Sequence, residues 1–305
     1  MQPLHFKFGG YQKPASIHNQ AAVRFGELLQ QKLGDRVSFE LIGNVLDLGR
    51  GSGDLPIMVE NGELDFCYIS TVRFADDVPE LKLLELPFVV PSRDAVCRAL
   101  DGELGARFTR QMHARTPHRV LGYWDNGFRH LSNKVRPIRT PADCAGLRIR
   151  TQMSALHGEA FAALGFVPVP ADIKEFAAEV GGDRFQAQDN PLTNTYNFGV
   201  QKHHRYHTLS SHFFGASAMI GNAAKYASWP ADVQAAVDAA GREATVYQRQ
   251  LAAAEDAAIM AKLKTEDVEI VTLTPAEHAA FVAALAPMLE KYRKELDPAL
   301  FDALK

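Results

Sequence analysis

The alternation of expected strands and helices is the feature that most limits how this chain can fold. Strands are predicted at residues 4–9, 37–42 and 64–69, where apolar residues alternate with polar ones or run continuously. Helices are predicted between them at residues 17–33 and near 55–60. Strands that alternate with helices typically build a largely parallel sheet covered by helices. The first part of the chain is therefore predicted to be α/β.

The same rhythm continues after residue 90. A strand at 119–124 is expected to end at Asp125-Asn126-Gly127, because this tripeptide is a turn signal. Further strands are predicted at 128–132, 147–150, 166–169 and 206–209, and helices at 94–114, 154–164 and 172–180. We therefore expect a second α/β lobe.

Residues 230–264 contain no internal proline and one glycine, Gly241, and they are rich in Ala, Glu and Gln. This composition predicts a single long helix. At 1.5 Å per residue it would be about 45 Å long, more than the width of one small lobe. We expect it to brace both lobes.

Composition excludes several classes of protein. A chain of 305 residues corresponds to about two domains, and 47% hydrophobic with 23% charged residues is typical of a globular fold. The 33 Lys and Arg residues against 36 Asp and Glu residues give 33 − 36 = −3, which disfavours nucleic acid as a partner. No apolar run reaches the roughly eighteen residues of a membrane span. Three widely spaced cysteines, Cys67, Cys97 and Cys144, predict buried thiols and no disulfide framework.

Motifs of common enzymes are missing from the sequence. Gly49 and Gly51 begin a dinucleotide-like pattern, but Asp54 stands where its third glycine is needed. Neither a phosphate-binding GxxxxGK[ST] loop nor a GxSxG nucleophile turn is present. The histidines at 203, 204 and 207 alternate with cations in a segment that leads into a strand, so we interpret them as structural or solvated and predict no metal and no cofactor.

Two arginines in the strand at 147–150 are candidates for binding an anion. Leu147 and Ile149 are expected to be buried, which places Arg148 and Arg150 on the opposite face. Ligands of open α/β sheets bind at the carboxyl edge of the strands, where a guanidinium can donate two hydrogen bonds to a carboxylate. Arg150 is the candidate clamp, with a surface or interlobe ion pair as the alternative for either arginine.

Four motifs in order resemble the solute-binding proteins of tripartite ATP-independent periplasmic (TRAP) transporters. They are Asp-Asn-Gly-Phe-Arg at 125–129, Thr-Pro-Ala-Asp-Cys-Ala-Gly-Leu-Arg-Ile-Arg at 140–150, Gln-Asp-Asn-Pro at 188–191, and the late long helix. The segments at 18–20, 60–65 and 86–88 also match that pattern. The resemblance covers almost the whole chain.

The resemblance implies a two-lobed periplasmic-binding-protein fold with crossing strands and a long helix. The first lobe would comprise residues 1–124 and about 213–250, and the second 125–212 and about 251–305. It also implies that Arg150 clamps a carboxylate, that Arg129 is a second cation near the ligand, and that Asn190 hydrogen-bonds to it. The family usually has Asp-Gly-Gln-Glu-Asn-Pro where this chain has Gln186-Ala-Gln-Asp189-Asn-Pro, so the details of that loop are open.

Aromatic side chains are expected to line the rest of the ligand site. Tyr11, Tyr68, Trp124 and Phe213 stand at the ends of predicted strands, near the edge where ligands bind. Aromatic walls favour a flat, partly apolar acid over a heavily hydroxylated sugar acid, which leads us to expect an aromatic or a 2-oxo or 2-hydroxy acid. The same rings are equally well explained as core residues.

By resemblance, the chain is a periplasmic protein, present here in its mature form, that captures a small organic carboxylate by hinge closure and delivers it to a TRAP permease. We expect a monomer and no catalysis. Two alternatives stay open: an enzyme that acts on a small acid with His130 or His212 as base, and a ligand-sensing module for a receptor.

Overall fold

The computed structural model describes residues 3–305, and its architecture confirms the predicted α/β class. The strands within this range are β1 (Leu4–Gly9), β2 (Val37–Ile42), β3 (Phe66–Ser70), β4 (His118–Asn133), β5 (Arg148–Thr151), β6 (Val167–Pro170), β7 (Ala187–Pro191), β8 (Tyr206–Asn222) and β9 (Glu269–Thr272). The helices are α1 (Ile17–Leu33), α2 (Leu55–Glu60), α3 (Arg93–Asp101), α4 (Glu103–Arg115), α5 (Ala155–Ala163), α6 (Ile173–Glu179), α7 (Leu192–Asn197), α8 (Ala223–Ser228), α9 (Ala231–Leu263), α10 (Pro275–Glu295) and α11 (Pro298–Asp302).

The chain forms two compact units, each built from three segments. The first unit comprises the residues up to Val78 together with Gly105–Asp125 and Ala216–Glu255. The second comprises Pro79–Leu104, Asn126–Gly215 and Asp256–Lys305. Strands β4 and β8 and the long helix α9 each contribute residues to both units.

The segment Pro79–Leu104 belongs to the second unit, whereas the sequence-based division placed all of residues 1–124 in the first lobe. Hydrogen bonds explain this grouping. The amide of Phe88 donates to the carbonyl of His212 at 2.8 Å, and Glu85 pairs with His157. Alternation of strands and helices cannot reveal such contacts, because they join residues that are far apart in sequence.

In the first unit the strand order is β2-β1-β3-β8. Strand β1 is parallel to β2 and β3, and β3 is antiparallel to β8, with Tyr68 opposite Met219 and Ser70 opposite Ser217. Helix α1 begins where the sequence predicts, because the Ser16 hydroxyl accepts the amide of Asn19 as its cap. The core here is rich in aromatic rings, which include Phe6, Phe8, Phe25, Phe66 and Trp229.

In the second unit the strand order is β4-β7-β5-β6, and β9 pairs with β8. Strand β7 is antiparallel to β4, with Asn190 opposite His130, and β5 runs parallel to β7, with Arg150 opposite Gln188. This register brings the motifs at 125–129 and 188–191, and the end of the motif at 140–150, into three neighbouring strands.

Three local predictions are corrected by the structure. The predicted helix at 94–114 is two helices, α3 and α4, divided at Gly102. Strand β4 does not end at the turn signal: it runs through Gly127, whose φ of 90° is open to glycine and strained for other residues. Cys67 and Cys144 are buried, as predicted, whereas Cys97 is partly exposed. The long helix is confirmed as α9 with 33 residues.

Among residues 3–305, no helix combines the length and the hydropathy that crossing a membrane requires.

Candidate functional site

Strand β5 presents one buried and one exposed arginine. The side chain of Arg148 is exposed and donates to the carbonyls of Asp183 and Arg184. Arg150 is only 3% exposed, and its Nε donates to the carbonyl of Ala171 at 2.9 Å. The Arg150 guanidinium carbon lies 5.5 Å from the ring centre of Phe176. These contacts fix the direction of a buried cation, the property that a carboxylate clamp needs.

Asn190 lies on the same sheet face as Arg150. The register places Gln188 opposite Arg150 on β5, and Asn190 follows two positions along β7, so the three side chains share a face. The Asn190 amide donates to Oε1 of Gln188 at 2.5 Å, and the Gln188 amide donates to Oγ of Ser132 at 2.7 Å. Ser132 is in turn hydrogen-bonded to Nδ1 of His204 at 3.0 Å. This buried network orients Asn190.

Arg129 lies on the opposite face, where Asp189 is its cross-strand diagonal neighbour. The Arg129 Nε donates to Asp189 Oδ2 at 2.5 Å, and Nη2 donates to the Asp189 carbonyl at 2.6 Å. Burial alone would raise the pKa of the Asp189 carboxyl, but the charge of Arg129, the nearby His212 and the hydrogen bond from Arg129 outweigh it and hold this pKa well below its ordinary range. The pair is therefore charged, and Asp189 balances the charge of Arg129.

Histidines and an aromatic ring surround this ion pair. Nε2 of His212 lies 3.4 Å from Oδ2 of Asp189, and Nδ1 of His212 is 2.7 Å from Oγ of Ser210. Burial lowers the pKa of His212, although Asp189 opposes the shift. Phe213, a predicted ligand contact, stacks on His157 with ring centres 4.4 Å apart. Phe213 therefore packs inside the second unit.

The other three predicted aromatic contacts come together in the first unit. The ring centre of Tyr68 lies 5.3 Å from that of Tyr11 and 5.6 Å from that of Trp124. The Tyr68 hydroxyl donates to Oδ1 of Asn19 and accepts the amide of Tyr11, and burial raises its pKa well above the ordinary value. The indole of Trp124 donates to Oγ1 of Thr245. All three rings are buried.

One buried residue beside these rings was not identified from the sequence. His18, on α1, has its ring centre 5.0 Å from that of Tyr68. A signal was present, because His18 falls in helical phase with the apolar residues Ala21, Ala22 and Phe25 on the buried side of α1. A histidine in phase with an apolar stripe is buried whatever its role.

The histidines near residue 205 have structural partners. Nε2 of His207 is hydrogen-bonded to the carbonyl of His204, and His204 is held by Ser132. Within residues 3–305, no three His, Cys, Asp or Glu side chains are grouped closely enough to hold a metal ion.

The sequence and the fold match a known protein family. The family model of the bacterial extracellular solute-binding proteins, family 7 (DctP), matches residues 8–295. The chain belongs to this family. DctP-family proteins are periplasmic solute-binding proteins of TRAP transporters, which bind small organic acids and work with membrane permease components.

Three similar proteins illustrate the DctP family. The chain is 28% identical to the 2,3-diketo-L-gulonate-binding periplasmic protein YiaO of Escherichia coli, over 87% of this chain and 80% of that protein. A TRAP periplasmic solute-binding protein from Sulfurospirillum deleyianum with bound succinate is 26% identical, with a TM-score of 0.93 over 100% of this chain and 99% of that one. One from Bordetella bronchispeptica, with density attributed to pantoate, is 25% identical, with a TM-score of 0.92 over 99% and 98%.

Family membership confirms the resemblance seen in the sequence motifs, but it does not assign the individual residues. The roles of Arg150, Arg129 and Asn190, and those of the four aromatic residues, stay predictions.

Proposed function

We propose that this DctP-family protein captures a small organic carboxylate through Arg150 and delivers it to a TRAP permease. The descriptions of three similar proteins each mention an organic acid, and the acids differ in shape: a diketo sugar acid, a dicarboxylate and a hydroxylated monocarboxylate. A carboxylate group is what these ligands share. A common cation that recognises this group is the simplest explanation of such a range.

The observation that carries the proposal is the burial and anchoring of Arg150. A cation taken out of water is costly, so a buried arginine indicates an anion or an equivalent set of acceptors. The bond from Nε to the Ala171 carbonyl and the ring of Phe176 fix the plane of the guanidinium. A fixed plane favours two parallel hydrogen bonds to a carboxylate.

Asn190 and Arg129 have different supporting roles in this proposal. Asn190 shares the sheet face of Arg150, and its side-chain amide is set by Gln188, so it is a hydrogen-bonding partner for the ligand. Arg129 contributes little net charge, because Asp189 balances it. Its role is then to donate hydrogen bonds to Asp189 and so to position β7.

The aromatic residues of the first unit, Tyr11, Tyr68 and Trp124, are proposed to contact the uncharged part of the ligand. They support an aromatic or a 2-oxo or 2-hydroxy acid as the ligand. Phe213 differs from them, because its face is already covered by His157. We propose that it supports the site without touching the ligand.

A thermal-shift screen tests the carboxylate clamp. Small carboxylates (aromatic acids, 2-oxo and 2-hydroxy acids, sugar acids and dicarboxylates) are added to the wild type, to Arg150→Ala and to Arg148→Ala. At a hundred times Kd, a ligand stabilises the wild type by about 2.7 kcal/mol. The expected result is a shift in the wild type and in Arg148→Ala, the exposed neighbour on the same strand, but none in Arg150→Ala. Equal shifts in all three proteins would remove Arg150 from the site.

The remaining parts of the function are tested separately. A carboxylate recovered unchanged after long incubation distinguishes binding from the enzyme alternative. Loss of uptake in cells that lack the gene, with uptake restored by the gene, supports delivery to a permease over a sensing role.

We propose that the working form is a monomeric, mature periplasmic protein. Light scattering gives its mass, and fractionation of cells gives its compartment.

A further inference from the structure

His18 is a buried imidazole without hydrogen bonds in the described part of the chain. It is 0% exposed, and neither Nδ1 nor Nε2 has a partner among residues 3–305. A neutral imidazole always carries one N–H donor and one acceptor nitrogen. Nearly all buried polar groups in native proteins are hydrogen-bonded, and one that is left without a partner destabilises the fold. An imidazole with two such atoms is therefore a strong pointer to a group that binds there.

The surroundings of His18 carry no charge in the described contacts. Its ring lies against Tyr68, at 5.0 Å between ring centres, and against Trp124, at 6.0 Å. Burial lowers the pKa of His18 from 6.5 to about 3, and no charged neighbour contributes to the shift. At neutral pH the ring is therefore uncharged. A neutral donor and acceptor pair suits a hydroxyl or carbonyl oxygen, whereas a second carboxylate would require a cation.

A second unpartnered polar atom lies on β8, the strand next to the one that carries Tyr68. Ser217, on β8, is also 0% exposed, and its Oγ has no partner among the described residues. In the antiparallel pair of β3 and β8, Met219 lies opposite Tyr68 and Ser217 lies opposite Ser70. Ser217 is thus the diagonal neighbour of Tyr68 on the same sheet face. Ser217 on β8 therefore shares the sheet face of Tyr68, and the ring of His18 packs against Tyr68 from α1.

We propose that His18 and Ser217 form a subsite in the first unit for an uncharged oxygen of the ligand. This inference rests on the proposed function and narrows it. The ligand would be a monocarboxylate that carries a hydroxyl or oxo group, bound in preference to a C4-dicarboxylate. His18 would donate to or accept from that oxygen, and Ser217 would supply the complementary hydrogen bond.

Matched four-carbon acids test this preference by calorimetry: butanoate, 2-hydroxybutanoate, 2-oxobutanoate and succinate. The wild type is expected to bind the hydroxy or oxo acid at least tenfold more tightly than butanoate and succinate. His18→Phe keeps an aromatic ring but removes both nitrogens, and it is expected to abolish this tenfold preference. Ser217→Ala is expected to reduce it. The matched control is His118→Phe, because His118 is a second buried histidine of the first unit whose ring contacts Phe74 instead.

Two outcomes would overturn the subsite. One is tighter binding of succinate that depends on Arg150, which leaves the carboxylate clamp intact and removes the preference. The other is an unchanged preference in His18→Phe. Failure of all four acids and of the wider carboxylate screen would overturn the proposed function together with the subsite.

A direct measurement covers the case in which His18→Phe fails to fold. In the wild type labelled with ¹⁵N-histidine, the NMR shifts of the two His18 ring nitrogens report their hydrogen bonds. Addition of the preferred acid is expected to move at least one of them, and to leave those of His118 in place. Shifts at His18 that stay constant at saturation would show that the acid does not hydrogen-bond to this ring and would overturn the proposal.

Discussion

The guanidinium of Arg129 and the carboxylate of Asp189 form an ion pair with an Nε–Oδ2 distance of 2.5 Å, and both side chains are buried. The two residues come from antiparallel strands and meet diagonally across the pair of β4 and β7. Because a buried charge is stable only with its partner, each residue fixes the position of the other. The ion pair therefore locks the strand that carries Asn190 to the strand that carries Arg129.

Removal of one partner of this pair is expected to destabilise the protein strongly. Asp189→Asn leaves the charge of Arg129 buried and should lower the free energy of unfolding by about 3–5 kcal/mol. Urea denaturation followed by circular dichroism measures the loss. The control is Glu63→Gln, which breaks the exposed pair of Arg50 and Glu63 and should cost less than about 1 kcal/mol. A similar small loss in both variants would contradict the structural role of the pair.

The hydrogen bonds that orient Asn190 are expected to affect ligand affinity indirectly. Gln188→Ala removes the acceptor of the Asn190 amide and the donor to Ser132. We predict a loss of about 1–3 kcal/mol in stability and weaker binding of the ligand by roughly tenfold, because Asn190 is no longer oriented. Calorimetric titration gives the affinity. Gln186→Ala, two residues earlier in the chain and outside β7, should bind as the wild type does.

Much of the fold could be predicted from the sequence, because local patterns determine it. Alternation gave β1 and β2, and the cap at Ser16 gave the start of α1. The continuation of β4 through residues 125–127 could not be predicted, since the same tripeptide is a common turn signal, and only the structure shows one strand running from His118 to Asn133.

The candidate site was predicted in part for the same reason. The alternation of Leu147 and Ile149 with two arginines made Arg148 and Arg150 candidates, and the resemblance of the motif at 140–150 singled out Arg150. Asp189, which balances the charge of Arg129, is 60 positions away in sequence. The lack of hydrogen-bond partners at His18 likewise depends on residues far along the chain, so no local pattern could predict either feature.

Gly127 is expected to be required for the passage of β4 through its turn-like tripeptide. Its φ of 90° is strained for any residue with a side chain, and a Cβ there would lie 3.3 Å from Cβ of Pro191. Gly127→Ala should therefore cost about 1–3 kcal/mol. Gly158→Ala is the matched control: it lies inside α5 with open space around it, and it should stabilise the protein by about 0.5–1 kcal/mol. Thermal unfolding of the two variants should shift in opposite directions, and a shift of the same sign would contradict this account of β4.

Buried neutral histidines are expected to make the protein sensitive to acid. Burial is the largest cause that lowers the pKa of His18 and His204 to about 3 and that of His207 to about 4, from an ordinary value of 6.5. Between these values the unfolded chain binds more protons than the folded one. Stability is thus fully present above pH 6.5 and is lost as the pH falls towards 3, by at most about 1.4 kcal/mol per pH unit for each histidine.

Removal of one titrating ring tests this dependence. His18→Phe should lower the slope of the free energy of unfolding against pH between pH 6 and pH 4 by up to about 1.4 kcal/mol per unit, because one such proton-binding site disappears from the unfolded state. Urea denaturation at half-unit steps of pH measures both slopes. Above pH 7 the two curves should run parallel, since His18 is then neutral in the folded and the unfolded chain alike. Equal slopes below pH 6 would mean that His18 takes up its proton without unfolding, and therefore that water reaches its ring in the native protein.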